Sequence, residues 1–485
     1  MMILSKLNKI FSIWNNRSEA VKSATVFTLA VLLSRGIAII SLPIFTRIMP
    51  PEQIGIIGLY VSTFGIISTI SALALTSGGF MIGLKDFCSQ RDSYISSVVT
   101  LTTIASVILF LLFVIAPSFW SEKIGLPIGL ILLMLFGCMV CPAYEFWLMR
   151  QRYEYAYKKA AAVTVSTSVI STLLAVGAVL LAKNNPSCLG EMRLYVAFGF
   201  TYVVYFVIWI VLLSKGNRQT YFNRQYWAFS LTLSLPLLGH SFASQILSVS
   251  DRLLISNLID NSAVGIYSTL YSVGSIALMF WAALNSSFVP YLFQNIENQD
   301  DRKKVGKNAQ MLLLFFSALI LFVTLMVPDI VLILATDEYY QYVSIVPPII
   351  AGTYLISVGN FYSNLLVFCK KTMAIMISTI IAGAVSILLN LLLIPRFGFV
   401  AAAYTTLLAY MLFAFMQSIL GFRFFKKYIS GPFIYDNGKM TVIASVTVLL
   451  TLACNITYSC NILRYTLIIV LIPLMIKVYF LIRKR

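Results

Sequence analysis

The sequence predicts an all-α membrane protein of about 14 transmembrane helices, arranged as two parallel six-helix lobes plus two extra C-terminal helices. Three observations predict this. The 485 residues are 60% hydrophobic and only 11% charged, with mean hydropathy +0.90, whereas a globular domain carries about 25% charged residues. Apolar stretches of roughly 20 residues, the length needed to cross a bilayer, recur along the whole chain. A segment near the start of the first half also recurs in the second half, at an offset of 210 residues.

The predicted spans fall near 25–46, 54–78, 94–116, 126–148, 160–182, 194–214, 230–256, 263–291, 309–335, 343–368, 373–394, 399–420, 440–456 and 462–481. Ahead of them, residues 1–22 carry Ile3, Leu4, Leu7, Ile10, Phe11 and Trp14 at helical spacing among Lys6, Lys9 and Arg17. That pattern predicts an amphipathic helix on the membrane surface rather than a cleavable signal peptide. The expected organisation is a cytoplasmic N-terminus (1–22), an N-lobe of spans 1–6 (23–214), a cytoplasmic linker (215–229), a C-lobe of spans 7–12 (230–421), and spans 13–14 with a cytoplasmic tail (422–485). The polar connections are too short to hold a separate folded domain, which needs ~50 residues.

Charge placement sets the expected topology. Of the 35 Lys and Arg residues, 27 fall on one side of the layout, 7 fall on the other, and Arg35 lies inside a span. The positive-inside rule then places both termini in the cytoplasm. It also accounts for the net charge of +18 without a nucleic-acid partner.

The repeat pairs Gly55 with Gly265, Ile56 with Ile266, Ser62 with Ser272 and Ile66 with Ile276. Both copies mark the link from the first to the second span of a six-span unit. Six spans return the chain to its starting side, so the units are parallel repeats related by an axis along the membrane normal. Two such lobes with a cleft between them suit alternating access.

Span 1 carries Arg35 near its middle, then Pro43 and Arg47. An arginine at bilayer depth costs from roughly 2.5 to over 10 kcal/mol, so it needs a compensating surrounding. One reading is a cation facing an anionic ligand across the cleft. The other is a guanidinium held by helix carbonyls or a neighbouring carboxylate. Span 7, the repeat partner of span 1, places His240, Ser244, Ser248 and Arg252 every fourth residue and so on one face, with Asp251 beside them. Arg35, Arg47, His240 and Arg252 are therefore the candidate substrate-binding residues. Asp251 and His240, the latter titrating near neutral pH, are the coupling-ion candidates. The alternatives are a structural Asp251–Arg252 ion pair and a His240 hydrogen bond to a neighbouring helix.

Other buried-span polar groups have plainer expected roles. Asn285, Asn360, Asn364 and Asn390 suit interhelical hydrogen bonds. Glu145 suits an ion pair with Arg150 or Arg152, and Asp329 suits a solvated position. The C-x-x-C of Cys138 and Cys141 lies in an apolar helix without a second pair, and reads as packing rather than as a metal or redox site. No P-loop, H-E-x-x-H or G-x-S-x-G is present, and no long loop is available to hold catalytic residues. The expectation is a transporter, not an enzyme, with no cofactor and no metal.

The strings LLSRGIAIISLPIFTRIMPPEQIGIIGLY (32–60), DRLLISNLIDNSAVGIYSTLYSV (251–273) and LLLIPRFGFVAAAYTTLLAY (391–410) resemble those of polysaccharide-specific transporters. These are O-antigen or capsule repeat-unit flippases of the multidrug/oligosaccharidyl-lipid/polysaccharide exporter superfamily. The resemblance implies movement of an undecaprenyl-diphosphate-linked oligosaccharide across the bacterial inner membrane. It further implies H+ or Na+ as coupling ion, membrane lipids as surroundings, and the polymerase and chain-length regulator of the same pathway as partners. It also implies that Arg35 and Arg47 handle the diphosphate. A multidrug or metabolite cation antiporter of the same fold is the alternative. It is disfavoured because span 1 offers arginine and no carboxylate, and arginine matches phosphate bidentately.

Overall fold

A computed structural model describes residues 19–76 and 78–483; the amphipathic segment expected ahead of residue 19 lies outside them. Among the described residues the regular structure is entirely helical, and the predicted spans fall on helices, except that the span expected over 54–78 is helical only to Ser71 and the one over 263–291 breaks between Gly274 and Ile276. In chain order these are α1 (Glu19–Ile48), α2 (Pro51–Ser71), α3 (Phe80–Asp86), α4 (Arg91–Ile115), α5 (Pro117–Ile124), α6 (Ile128–Tyr153), α7 (Tyr157–Leu181), α8 (Leu189–Lys215) and α9 (Arg224–Leu258). They continue as α10 (Asn261–Gly274), α11 (Ile276–Asn295), α12 (Gln299–Leu334), α13 (Asp337–Tyr340), α14 (Val346–Phe368), α15 (Thr372–Phe397), α16 (Val400–Tyr428), α17 (Asn437–Thr457) and α18 (Asn461–Arg483). Twelve segments are long and apolar enough to cross a membrane, α10 and α11 counting as one. The polar α9 and the last helix, α18, bring the total to fourteen. The longest addition to a predicted end is the polar Gln299–Asn308 at the start of α12.

Local chemistry fixes several boundaries. Proline stands at the first position of α2 and α5, where its missing N–H costs nothing. Gly125 ends α5 with a left-handed φ of 76°. The Asp260 carboxylate caps α10 by accepting from the Ala263 amide at 2.7 Å, and Asp436 caps α17 by accepting from the Lys439 amide at 3.2 Å.

The chain packs as two compact units. The first comprises the chain through Met49 together with Thr63–Leu238; the second comprises Pro50–Ser62 and Gly239–Arg485. The packing division therefore falls within α2 and α9, whereas the repeat division drawn from the sequence follows whole spans. In the first unit, α1 lies along α7, and α4, α6 and α8 pack together. An aromatic cluster ties the start of α9 into this unit: Phe87 lies 4.7 Å from Tyr226 and 5.2 Å from Phe229, and Phe80 lies 4.5 Å from Phe146. The Tyr94 and Ser230 hydroxyls meet at 3.0 Å, and Ser234 accepts from the Gly79 amide at 3.3 Å.

In the second unit, α14 is the most enclosed membrane helix and α10, α11, α12, α16 and α17 all pack on it. Asn364 donates to Asn285 at 2.9 Å, joining α14 to α11, and the Asn390 amide oxygen accepts from Thr405, joining α15 to α16. The start of α2 crosses the start of α10 at glycine: Gly55 lies against Asn261, and Gly265 against Pro51. Asp329, expected to be solvated, instead accepts from Arg464 and from the Tyr465 hydroxyl, each at 2.9 Å. This holds α18 to α12, because a guanidinium in an apolar setting requires an acceptor.

Candidate functional site

The candidate residues are distributed over the two units. In the first, the buried positions among the described side chains of α1 are Ser23, Phe27, Ala30, Ser41, Phe45 and Thr46, and all but Thr46 are spaced to form the stripe that meets α7. Arg35 stands about 100° round the helix from Ser34, which shares that stripe. It is exposed, and among the described residues no ion pair or hydrogen bond engages its guanidinium. Arg47 is also exposed and donates to the Pro43 carbonyl at 3.0 Å. The helix backbone thus partly satisfies Arg47 and leaves Arg35 to whatever meets that face.

In the second unit, His240 Nδ1 lies 3.4 Å from the Thr379 hydroxyl of α15, and that hydroxyl also donates to the Ile375 carbonyl at 2.8 Å. His240 thus keeps one long polar contact. The Asp251–Arg252 pair is enclosed and more fully engaged. Asp251 Oδ1 accepts from the Arg252 amide at 2.8 Å and faces Arg252 Nη1 at 3.4 Å, while Oδ2 accepts from the Tyr267 hydroxyl at 2.6 Å. Arg252 donates to the Ser248 carbonyl at 2.8 Å and stacks over the Tyr271 ring at 4.2 Å. Both Asp251 oxygens are used, so the pair locks the C-terminal half of α9 to α10.

The expected partner of Glu145 is not the observed one. Arg150 bonds Asp92 and, at 2.9 Å, Glu154, both of which its side chain reaches more directly than Glu145. Glu145 faces Thr76, with Arg152 as the nearest cation, and makes no ion pair among the described residues. Arg152 instead lies 5.2 Å over the Phe27 ring.

Sequence reasoning overlooked Arg193. In the charge layout it is one of the seven Lys and Arg residues on the less basic side. Its guanidinium sits 3.6 Å over the ring of Phe45, which is 1% exposed. No sequence signal pairs positions so far apart. A further feature of the second unit is an apolar cavity of about 410 Å³ between α14, α16 and α17, lined by Val358, Tyr362, Met411, Phe415, Met440 and Val448 among others.

The described residues form a multi-span helical membrane protein whose fold is shared with several solved membrane proteins. A lipid II flippase MurJ in an inward closed conformation aligns at TM-score 0.68 and 15% identity, covering 95% of this chain and 100% of that one. An inward-facing multidrug resistance MATE transporter of the MOP superfamily aligns at 0.59 and 13%, covering 80% and 95%. A MOP superfamily transporter from Pyrococcus furiosus, whose binding pocket is described as reversed in polarity, aligns at 0.54 and 12%, covering 84% and 96%. No curated protein matches. The chain belongs to the family described as polysaccharide biosynthesis protein, which it matches over residues 20–296.

Proposed function

We propose that this protein is a flippase for an undecaprenyl-diphosphate-linked oligosaccharide, an O-antigen or capsule repeat unit. It moves this substrate across the bacterial inner membrane by alternating rocking of its lobes, with both termini cytoplasmic. The observation that carries the reading is Arg35: a full positive charge within a membrane helix, turned away from the packed stripe, with no acceptor among the described residues. A charge in that setting is sustained by a ligand of opposite sign or by water, and a diphosphate supplies paired oxyanions for its planar fork. The family, which is one of polysaccharide biosynthesis, supports a sugar-bearing anion over an organic cation.

In this reading Arg35 and Arg47 contact the diphosphate. Of the two coupling candidates, His240 is favoured over Asp251, whose oxygens are already engaged. H+ is therefore preferred to Na+ as the coupling ion. The chain moves its substrate without altering it, and the pathway's polymerase and chain-length regulator act on the delivered unit.

The test is deletion in the native host, with mass spectrometry of lipid-linked intermediates and complementation by wild type and Arg35→Ala. Loss of surface polysaccharide with accumulation of a single diphosphate-linked repeat unit is expected, and Arg35→Ala should fail to restore export. Intact polysaccharide with altered drug or metabolite tolerance would replace the flippase with the cation antiporter.

A further inference from the structure

Three enclosed arginines in this chain have oxygen acceptors. Arg252 has the Ser248 carbonyl and Asp251, and Arg464 has Asp329. Arg302 donates to the Ile296, Glu297 and Ser430 carbonyls. Arg193 departs from this pattern. It occupies the second turn of α8, and protein surrounds it while leaving part of its side chain open. Its one close partner is the face of the Phe45 ring at 3.6 Å. No carboxylate, carbonyl or hydroxyl of the described residues accepts from it, and Glu191, the nearest acid in sequence, bears on Tyr195 instead.

An aromatic face attracts a cation but accepts no directed hydrogen bond from the edge of the guanidinium. It therefore offsets only part of the cost of enclosing the charge. A guanidinium seated over a ring keeps its N–H donors available to other partners, and those donors can recognise a phosphoryl or carboxylate oxyanion bidentately. Phe45 lies ten residues beyond Arg35 on α1, which at helical rise is about 15 Å further along the same helix.

We infer that Arg193, seated on Phe45, is a second oxyanion-binding residue, which takes the diphosphate of the lipid-linked substrate at a different depth from Arg35. The inference rests on the flippase reading and adds to it a substrate path with two cationic stations along α1. Arg35 holds the diphosphate mid-span, and Arg193 receives it near the C-terminal end of the helix. A carboxylate on an acidic sugar shares the same oxyanion chemistry, so the test separates the two sources.

The full chain in lipid nanodiscs is titrated with farnesyl diphosphate, with farnesol as the uncharged control and glucuronate as the sugar-acid control, while Kd and the thermal midpoint are followed. Wild type should bind farnesyl diphosphate and ignore farnesol. Arg193→Gln should bind farnesyl diphosphate at least tenfold more weakly. Its unliganded midpoint should be unchanged or higher, because an uncompensated charge has been removed. Arg193→Lys, which keeps the charge and loses the fork, should fall between, and Phe45→Leu should weaken binding with Arg193 still present. Equal binding by wild type and both Arg193 variants would overturn the inference and leave the flippase reading standing, as would a lower unliganded midpoint with unchanged binding. Binding of glucuronate but not of farnesyl diphosphate would assign the anion to the sugar and overturn the diphosphate assignment. Failure of wild type to bind either anion would remove the flippase reading together with the inference.

Discussion

Gly55 and Gly265 pack directly against one another: a Cβ on Gly265 would stand 3.0 Å from the Gly55 backbone nitrogen. The contact is reciprocal. Gly55 abuts Asn261, and Gly265 abuts Pro51, the repeat equivalent of Asn261. Gly58 likewise faces its own equivalent, Ser268, where an added Cβ would lie 2.6 Å from the hydroxyl oxygen. Equivalent positions that touch each other are the mark of a two-fold relation, here between the starts of α2 and α10.

A side chain at this crossing must displace backbone. Gly55→Ala and Gly265→Ala should each cost at least the ~1–3 kcal/mol of overpacking and lower the thermal midpoint of the purified protein. Gly177→Ala is the control, since a Cβ there meets nothing within 4 Å, and its effect should stay within about 0.5 kcal/mol. A Gly55→Ala protein as stable as the control would refute the close crossing.

The glycines at the crossing were legible in the sequence as repeat positions, but their contact was not. Spans were legible because hydropathy depends on local composition alone, and the polar α9 was among those predicted. Partners were less legible. Tyr267 lies sixteen residues beyond Asp251 and across a turn, and Arg464 lies far along the chain from Asp329. Nothing local marks either pair. Arg193 looked like a loop-end charge because its enclosure depends on Phe45, which only the packing of the first unit brings beneath it. Glu145 shows the converse error: closeness in sequence suggested Arg150, but Asp92 from α4 took that guanidinium.

Arg464 is 3% exposed and has Asp329 as its only carboxylate partner among the described residues. Asp329→Ala strands that charge and should cost about 3–5 kcal/mol. Arg464→Met combined with Asp329→Ala should recover much of the loss, because no unpaired charge remains. Thermal unfolding in detergent reads both variants, and a double variant no more stable than the single would count against a pair-specific cost.

Asp436 caps α17 and pairs with Lys439 Nζ at 2.9 Å, and these contacts hold its carboxyl below its ordinary value of 3.8. A depressed carboxyl stabilises the fold fully above its unfolded value and loses that contribution as pH falls through the folded value. Hydrogen exchange at the Lys439 amide should therefore show protection that is flat above pH about 4 and falls below it. Asp436→Asn keeps a capping oxygen without the charge, so its protection should lose this pH dependence. An unchanged pH profile in that variant would assign the titration to another group.

Asp251 and Arg252 separate structural pairing from ion coupling most directly. Each is enclosed, and Asp251 has neither oxygen free. If the pair is structural, Arg252→Met alone leaves a buried carboxylate unpaired and should cost about 3–5 kcal/mol, and Asp251→Asn should also destabilise. The double variant should be more stable than the sum of the single effects predicts, with a coupling energy of roughly 0.5–3 kcal/mol. Stability decides the matter because it needs no transport: a coupling carboxylate, exposed to its ion in each cycle, would tolerate Asp251→Asn with little change in thermal midpoint while export is lost. The engaged oxygens predict the opposite pattern, a lowered midpoint with export falling only as far as the folded fraction does. Normalising polysaccharide export to the amount of folded protein distinguishes the two, and an Asp251→Asn protein of full stability with abolished export would return Asp251 to the coupling role.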